Sequence, residues 1–566
     1  MPWPLWAGSH AELPCCSPKS GLATVHITRV KVGNYNRLRD LDIEVRGHLV
    51  VVGANDVGKT SLLRMVQAVL GLSLGQLYQM FSPEDLREAG EPLIAEVVLG
   101  GFGAAERALF HREITVDSLD QAGESLVVRL EVAPDEDPEA VVVRRFFPDR
   151  GDDRPPTREQ LLAFGWRYLP ATRGVGSAQL DGPNSALRAL LDTIDLGAEK
   201  QDLVKMLSSY NDTLGASPTL TGLRTRIAGH LSKAMPRSIS AEQLAVRSGT
   251  DPAASVLGNV SMFFDRDGAF VPLSDQSDGM RQLMAMTLFD LAEDAANVIA
   301  IDEPELYLNP ASQRTAAELL TRTGNQKLLV THSPFIMQRF DPRQVVAIGP
   351  DGAARQLPAD KLTTIDKLRA RWWSTRLLEA LSARSVILVE GIADRILVEA
   401  VDRALNIGLD RLGAVVFEID GADKFEHVFK FLGPDGFNVR LLGLVDQDAQ
   451  AKWVGKFHGK PEDVLGTRIW VSDPDLEGQY CTALGGVEVA QILIDAGVCR
   501  DQALLQSAAV SDLPLLTPEA VAAFCRKNSN KVEAAVAVGQ ALTADTAARV
   551  TPIANLLNAL AAGSSL

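Results

Sequence analysis

The chain has 566 residues, too many for one ordinary hydrophobic core, so two to four domains are expected. Its content of 46% hydrophobic and 23% charged residues is that of a globular protein, and no uninterrupted apolar run is long enough to span a bilayer. Fifty-six basic and 72 acidic side chains give a net charge of −16, which argues against general electrostatic coating by nucleic acid but leaves room for a local basic groove or a carboxylate-bound cation. The five cysteines are scattered, with no metal-ligand spacing or disulfide framework, as expected of a reducing cytoplasm. The opening Met-Pro-Trp-Pro-Leu-Trp lacks a basic n-region and does not read as a signal peptide, so residues 1–21 are expected to be a disordered extension.

Residues 24–32 alternate apolar and polar side chains as a half-buried strand does, and Leu41–Val45 resumes the alternation after a turn. Tyr35 in that turn reads equally as an adenine-stacking ring or a surface aromatic. The buried-strand run Leu49–Val52 then leads into Gly53-Ala-Asn-Asp-Val-Gly-Lys-Thr-Ser61, and Ser61–Leu70 reads as a helix. This is the G-x-x-x-x-G-K-[ST] phosphate-binding spacing in its required strand–loop–helix context. Gly53 and Gly58 permit the tight turn, and Asn55 lies within the loop. Backbone N–H groups and the helix N-terminus face the phosphates, with Ser61 opening the helix. Lys59 is placed to reach the β/γ-phosphates and the Thr60 hydroxyl to ligate Mg²⁺.

Strand-like runs follow at Ile94–Leu99, Leu126–Val132 and Val141–Phe147, and then an exposed Asp/Pro-rich loop at 149–156. Helical periodicity at Leu187–Ile194 and Leu220–Leu231 predicts an insertion over 180–250, acting as a dimerisation arm or a lid. Strands are expected to return near Val260–Phe264. Leu273–Gln282 opens a helix whose first turn carries Ser277, Gly279 and Gln282, a second anion-binding end. Asn297–Glu303 is an apolar strand ending in two carboxylates. Asp302 can hold Mg²⁺, and Glu303 can orient and deprotonate a water. The strand Lys327–Thr331 presents His332 at its end, where it reads as a γ-phosphate sensor.

In this order the motifs resemble the ABC-type ATPases, in the soluble branch that includes RecF-, SMC- and OLD-like proteins. The resemblance implies a homodimer in which Ser277 and Gly279 of one ATPase head close on the nucleotide held by the phosphate loop of another. Tyr168-Leu-Pro-Ala-Thr-Arg173 also resembles a segment of that branch and implies that Arg173 lies near the nucleotide.

A second set of strand-end carboxylates begins after the charged stretch 365–384. Ser385–Val389 delivers Glu390, a Gly turn and then Asp394, and Val439–Val445 delivers Asp446 and Asp448. Ligands in parallel sheets bind at the carboxyl ends of strands, so Glu390, Asp446 and Asp448 should converge. Converging carboxylates repel unless a divalent cation neutralises them, and oxygen donors suit Mg²⁺ or Mn²⁺. Either motif alone also reads as helix caps and solvated turns. Together, E followed by D-x-D resembles the Toprim domain.

An ABC-type ATPase over 22–375 followed by a Toprim domain with C-terminal helices over 376–566 is similar to the OLD (overcoming lysogenisation defect) nucleases. The expected fold is therefore α/β: a P-loop ATPase with a helical insertion, then a Rossmann-like parallel sheet. The resemblance implies ATP-coupled, metal-dependent cleavage of DNA, in some members for antiphage defence and in a Gabija-type subset beside a helicase partner. It assigns Glu390, Asp394, Asp446, Asp448 and Glu477 as metal ligands, Glu390 also as a proton-transfer candidate, and Lys531 as stabiliser of charge on the phosphate. Lys531 reads equally as a surface lysine. Competing readings are a RecF-like DNA-binding clamp with a scaffolding Toprim domain, and a topoisomerase or primase. No zinc-ribbon cysteine pattern supports a primase, and nothing marks Tyr480 as a topoisomerase nucleophile. The basic and aromatic run Lys367–Trp373 reads as a DNA-backbone contact or an interdomain packing helix.

Overall fold

In the computed structural model the described residues are 25–116, 123–148, 153–171, 187, 191, 196–234, 240, 242, 257, 263–266, 269–272, 275–291, 297–321, 324–358, 375–419, 425–457, 460–527 and 529–563. The expected extension 1–21, Arg173 and the run Lys367–Trp373 lie outside them. Strands β1 (His26–Gly33), β2 (Leu41–Glu44) and β3 (Leu49–Gly53) precede the helix Lys59–Leu70. Next come β4 (Leu93–Gly100), β5 (Thr115–Val116), β6 (Glu124–Pro134), β7 (Val141–Phe146) and β8 (Trp166–Leu169). A short hairpin, β9 (Phe263–Arg266) and β10 (Ala269–Pro272), is followed by β11 (Val298–Asp302), β12 (Gln326–Val330), β13 (Val345–Ile348) and β14 (Ala354–Gln356). Strands β15 (Ser385–Val389), β16 (Ala414–Glu418), β17 (Leu441–Asp446) and β18 (Ile469–Ser472) complete the set.

Among the described residues the strands form three larger sheets beside the two-stranded β9–β10 hairpin. An antiparallel sheet runs β2-β1-β4-β6, with β7 and β5 also paired to β6; a second runs β14-β13-β3-β12-β11-β8; a third runs β16-β15-β17-β18. The third sheet is wholly parallel, and the second is parallel except for the β13–β14 hairpin. Burial explains the two sequence signatures. Strand β6 alternates buried and half-buried residues because one face meets the core, whereas every residue of β3, β11 and β12 is buried, as expected of strands covered on both faces. Gln326 ties the first two sheets together: its Oε1 accepts from Ile27 N at 2.7 Å and its Nε2 donates to Ile27 O at 2.8 Å and Gly47 O at 2.6 Å. One apolar cluster runs from Val50, Ile301 and Leu329 of the second sheet to Leu388, Phe417 and Leu441 of the third.

The helical periodicity at 220–231 falls within the helix Pro218–Ala234. Its partner, Glu199–Ala216, also lies within the expected helical insertion and buries none of its residues. Tyr35 departs from both of its sequence readings. It is 3% exposed and packs in the core, with its ring unavailable for stacking on a base.

Arg145 on β7 is buried and its Nη1 donates to Leu72 O at 2.6 Å and Ala68 O at 3.2 Å, at the C-terminal end of the helix that starts in the phosphate loop. Burial lowers its guanidinium to about 10, still charged at neutral pH, and the cation opposes the negative helix end. Arg145→Ala should lower unfolding stability by about 2–3 kcal/mol, since it strands buried carbonyls. A denaturant titration reads this as a lower midpoint, and an unchanged midpoint would remove the cap from the account.

Candidate active sites

The phosphate loop leaves β3 at Gly53 and enters its helix at Lys59. Gly53 has φ +150 and a Cβ there would lie 2.3 Å from Ile348 O; Gly58 has φ +90 and a Cβ there would lie 2.5 Å from Arg37 O. Only glycine fits either position. Lys59 is buried and its Nζ folds onto Ala54 O at 2.5 Å. Burial lowers its ammonium, against the opposing pull of Glu303, Asp302 and Glu305 nearby. The Thr60 hydroxyl donates to Asp302 Oδ1 at 3.2 Å, joining the loop to the end of β11 across 242 residues of sequence. Asp302 Oδ2 is buried with no hydrogen-bond partner, and burial raises the carboxyl against the Thr60 bond. An orphaned buried oxygen beside a threonine hydroxyl suits a hard divalent cation. Asn55 is exposed, while Ser61 lies half-buried in the first turn of the helix.

Glu303 follows at φ +49, a left-handed turn that a bulky residue adopts only when its surroundings enforce it, and its amide donates to Val330 O at 2.9 Å. Glu305 was missed in the sequence, where it reads as part of a connection. Its Oε2 accepts from Thr331 Oγ1 at 2.8 Å and its Oε1 from the His332 amide, so it fixes the end of β12. Burial raises Glu305 to about 7. His332 is pushed down to about 4 by burial and then by Lys59, which keeps the imidazole neutral and able to both donate and accept. We expect no His332 titration between pH 5 and 8. Imidazole NMR of wild type against His332→Gln checks this, and a missing resonance that titrated near 6.5 would contradict it.

The helix Asp278–Leu291 begins directly after Ser277. Ser277 is exposed, Gln282 is buried, and Gly279 packs so that a Cβ would meet Tyr307 O at 2.8 Å. Among the described residues neither Ser277 nor Gly279 hydrogen-bonds to the phosphate loop of its own chain.

The second site lies where β15, β17 and β18 end. Glu390 Oε1 accepts from Asp446 N at 3.2 Å, Asp394 Oδ2 from Gly391 N at 2.8 Å, and Asp446 Oδ1 from Leu476 N at 3.2 Å. Lys531, at the start of the helix Lys531–Ala541, ion-pairs with the nearly inaccessible Glu477 at 3.3 Å. Burial and then the Asp394 and Glu390 charges push Asp446 to about 8. Burial, reinforced by Glu390 and Glu477, pushes Asp394 to about 7. Burial also raises Glu390, with Asp448 adding to it. Lys531 opposes all three rises and is itself raised, because Glu477, Asp394 and Asp446 outweigh its desolvation. Glu390, Asp394, Asp446, Glu477 and Lys531 are therefore electrostatic neighbours. Asp448 is exposed at the rim, and Tyr480 is buried.

Among the described residues no three His, Cys, Asp or Glu side chains form a ready-made metal cage. The carboxylates spend lone pairs on Gly391, Asp446 and Leu476 amides and on Lys531 instead. An all-oxygen set whose members oppose one another's ionisation still fits a divalent cation. Sequence reasoning missed the brace behind this site. Asp475 caps the helix Leu476–Leu484 through Gly478 N at 2.8 Å, and Arg526 grips Asp475 at 2.6 Å and Glu519 at 2.5 Å. That network fixes the segment carrying Glu477 against the one leading to Lys531.

Comparison with known proteins agrees with this division. Residues 147–338 match the family described as "AAA domain, putative AbiEii toxin, Type IV TA system". Residues 381–448, which include Glu390, Asp394, Asp446 and Asp448, match "Overcoming lysogenization defect protein-like, TOPRIM domain". An AAA-type ATPase match is thus followed in this chain by an OLD-like Toprim match. The chain joins a P-loop ATPase part to a Toprim domain. It is 23% identical to the OLD nuclease of Thermus scotoductus over 430 residues, covering 71% of this chain and 78% of that one. It is 20% identical to Endonuclease GajA of Bacillus cereus over 262 residues, 44% of each. The solved C-terminal region of the Burkholderia pseudomallei OLD protein is similar at 26% identity and a TM-score of 0.27, covering 32% of this chain and 98% of that one. No described helix of the protein is long and apolar enough to cross a membrane.

Proposed function

We propose that this protein is an OLD-like, ATP-regulated, divalent-metal-dependent DNA endonuclease or nickase that hydrolyses phosphodiesters by a two-metal route. The observation that carries the reading is the gathering of Glu390, Asp394, Asp446 and Glu477, with Lys531 among them, at the ends of parallel strands. Divalent cations held there, Mg²⁺ or Mn²⁺, would supply activation of water and charge neutralisation at the leaving oxygen. In this reading Glu390, Asp394, Asp446 and Glu477 provide the oxygen donors, Asp448 completes the set from the rim, and Glu390 can also take up a proton. Lys531 exchanges part of its pairing with Glu477 for the charge developing on the phosphate.

ATP with Mg²⁺ would sit at Gly53–Ser61, with Thr60 and Asp302 holding the cation and Glu303 acting as base on water. Neutral His332 would contact the terminal phosphate. Ser277 and Gly279 would serve the site of a second copy, making the active form a homodimer. The large exposed side chains Met206, Tyr210 and Leu223 on the otherwise polar helical hairpin support a partner surface there. The shared apolar core gives the two sites a mechanical connection. Action in the cytoplasm, in antiphage defence or DNA repair and with or without a helicase, belongs to the same reading.

The full chain should convert supercoiled plasmid to nicked or linear product with Mg²⁺ or Mn²⁺ and leave it intact in EDTA. Relaxed closed circles would instead identify a topoisomerase. Intact DNA with both metals would favour the DNA-binding clamp.

A further inference from the structure

A cleft of about 700 Å³, lined by no residue of either site, lies between the β13–β14 hairpin and the starting edge of the third sheet. Four arginines line it, Arg355, Arg384, Arg440 and Arg468, against a single acidic residue, Asp351. Three of them occupy equivalent places. Arg384 precedes β15, Arg440 precedes β17 and Arg468 precedes β18. Those strands are adjacent. Val386 pairs with Leu441 and Gly443 with Ile469, so neighbouring arginines are staggered by one and by two residues, three in all along the row. Neighbouring strands are about 4.8 Å apart and each residue rises about 3.3 Å, so the row runs diagonally over roughly 14 Å.

Arg355 is already engaged by Asp351 at 2.7 Å. Among the described residues no carboxylate pairs with Arg384, Arg440 or Arg468, although acidic side chains outnumber basic ones in the chain, 72 to 56. Exposed cations usually find such partners in an acidic protein, and three left open along one wall repel one another. The same cleft is lined by Phe429 and Phe457, whose ring centroids lie 4.9 Å apart. Guanidinium forks match phosphate oxygens, and aromatic walls suit a planar or apolar group. A volume of this size accommodates a small organic ligand rather than a duplex.

We propose that this cleft is a second ligand site, for a small phosphate-bearing molecule, separate from the phosphate loop and from the Toprim carboxylates. Its phosphates meet Arg384, Arg440 and Arg468, and its remainder lies toward Phe429 and Phe457. The location gives it a regulatory reach. The hairpin wall continues from β13, where Ile348 pairs with Gly53 at the root of the phosphate loop, and the arginine wall begins the strands that end in Glu390 and Asp446. Occupancy therefore bears on both sites at once.

The test uses the full chain with Lys59→Ala, which disables the phosphate loop, and EDTA, which removes metal-mediated binding at the Toprim edge. Inorganic triphosphate is titrated by calorimetry. One saturable site is expected, weakening with salt. The pair Arg440→Glu and Arg468→Glu should weaken it at least tenfold, whereas Arg440→Lys with Arg468→Lys should retain most of it. Absence of saturable binding overturns the site. So does equal binding by the charge-reversed protein. Loss of affinity for a short DNA duplex with no effect on triphosphate also overturns it, assigning the row to DNA instead.

Discussion

Asp446→Asn should abolish DNA cleavage, reducing the rate by more than 100-fold, while leaving ATP hydrolysis in place. The magnitude follows from its position. Groups outside the ligand shell typically change metal affinity or activity by 10–100-fold, and Asp446 belongs to the proposed donor set itself. The change is nearly isosteric and leaves the Leu476 amide an oxygen to bond. It also removes an ionisable group whose charged form burial, Asp394, Glu390 and Glu477 already oppose. Metal-free thermal stability should therefore be unchanged or higher, which separates loss of chemistry from loss of fold. Plasmid cleavage, ATP turnover and a melting curve on one preparation check all three. Full cleavage by the variant would displace Asp446 from the metal site.

Glu303→Gln should slow ATP turnover by about 10²- to 10⁴-fold, the range of a lost general base, with nucleotide binding within a few-fold of wild type. The amide cannot accept the proton of water, yet it fills the same place in the left-handed turn after β11. Thr60 and Asp302, which hold the cation in this reading, are untouched. Steady-state hydrolysis beside equilibrium binding of a fluorescent ATP analogue separates the two quantities. Unchanged turnover would take Glu303 out of the base role and direct attention to Glu305, whose carboxyl is raised to about 7 but is committed to Thr331 and His332.

Legibility in the sequence followed the physics of each element. Buried parallel strands write continuous apolar runs, and the candidate site carboxylates follow directly on those runs. Leu49–Val52, Val298–Ile301, Ser385–Val389 and Leu441–Val445 therefore announced both themselves and Asp302, Glu390 and Asp446. Glu477 and Lys531 were less visible. Their partnership spans two helical segments with no shared periodicity, and only the fold shows that the lysine is paired rather than free on the surface. Asp475, Arg526 and Glu305 were invisible for the same reason: each acts through a hydrogen bond to a distant segment. Tyr35 misled because a turn aromatic carries no sign of the sheet that buries it. Arg384, Arg440 and Arg468 look unrelated along the chain, and strand adjacency alone makes them a row.

The central claim is that the nucleotide bound by Lys59 governs metal-dependent cutting nearly 400 residues downstream. The most direct measurement is the initial rate of supercoiled plasmid cleavage in Mg²⁺ or Mn²⁺, with and without ATP, for wild type and Lys59→Ala. The account predicts that ATP changes the wild-type rate severalfold and leaves the Lys59→Ala rate unaltered. An ATP response that survives Lys59→Ala, or a wild-type rate indifferent to ATP, would contradict it.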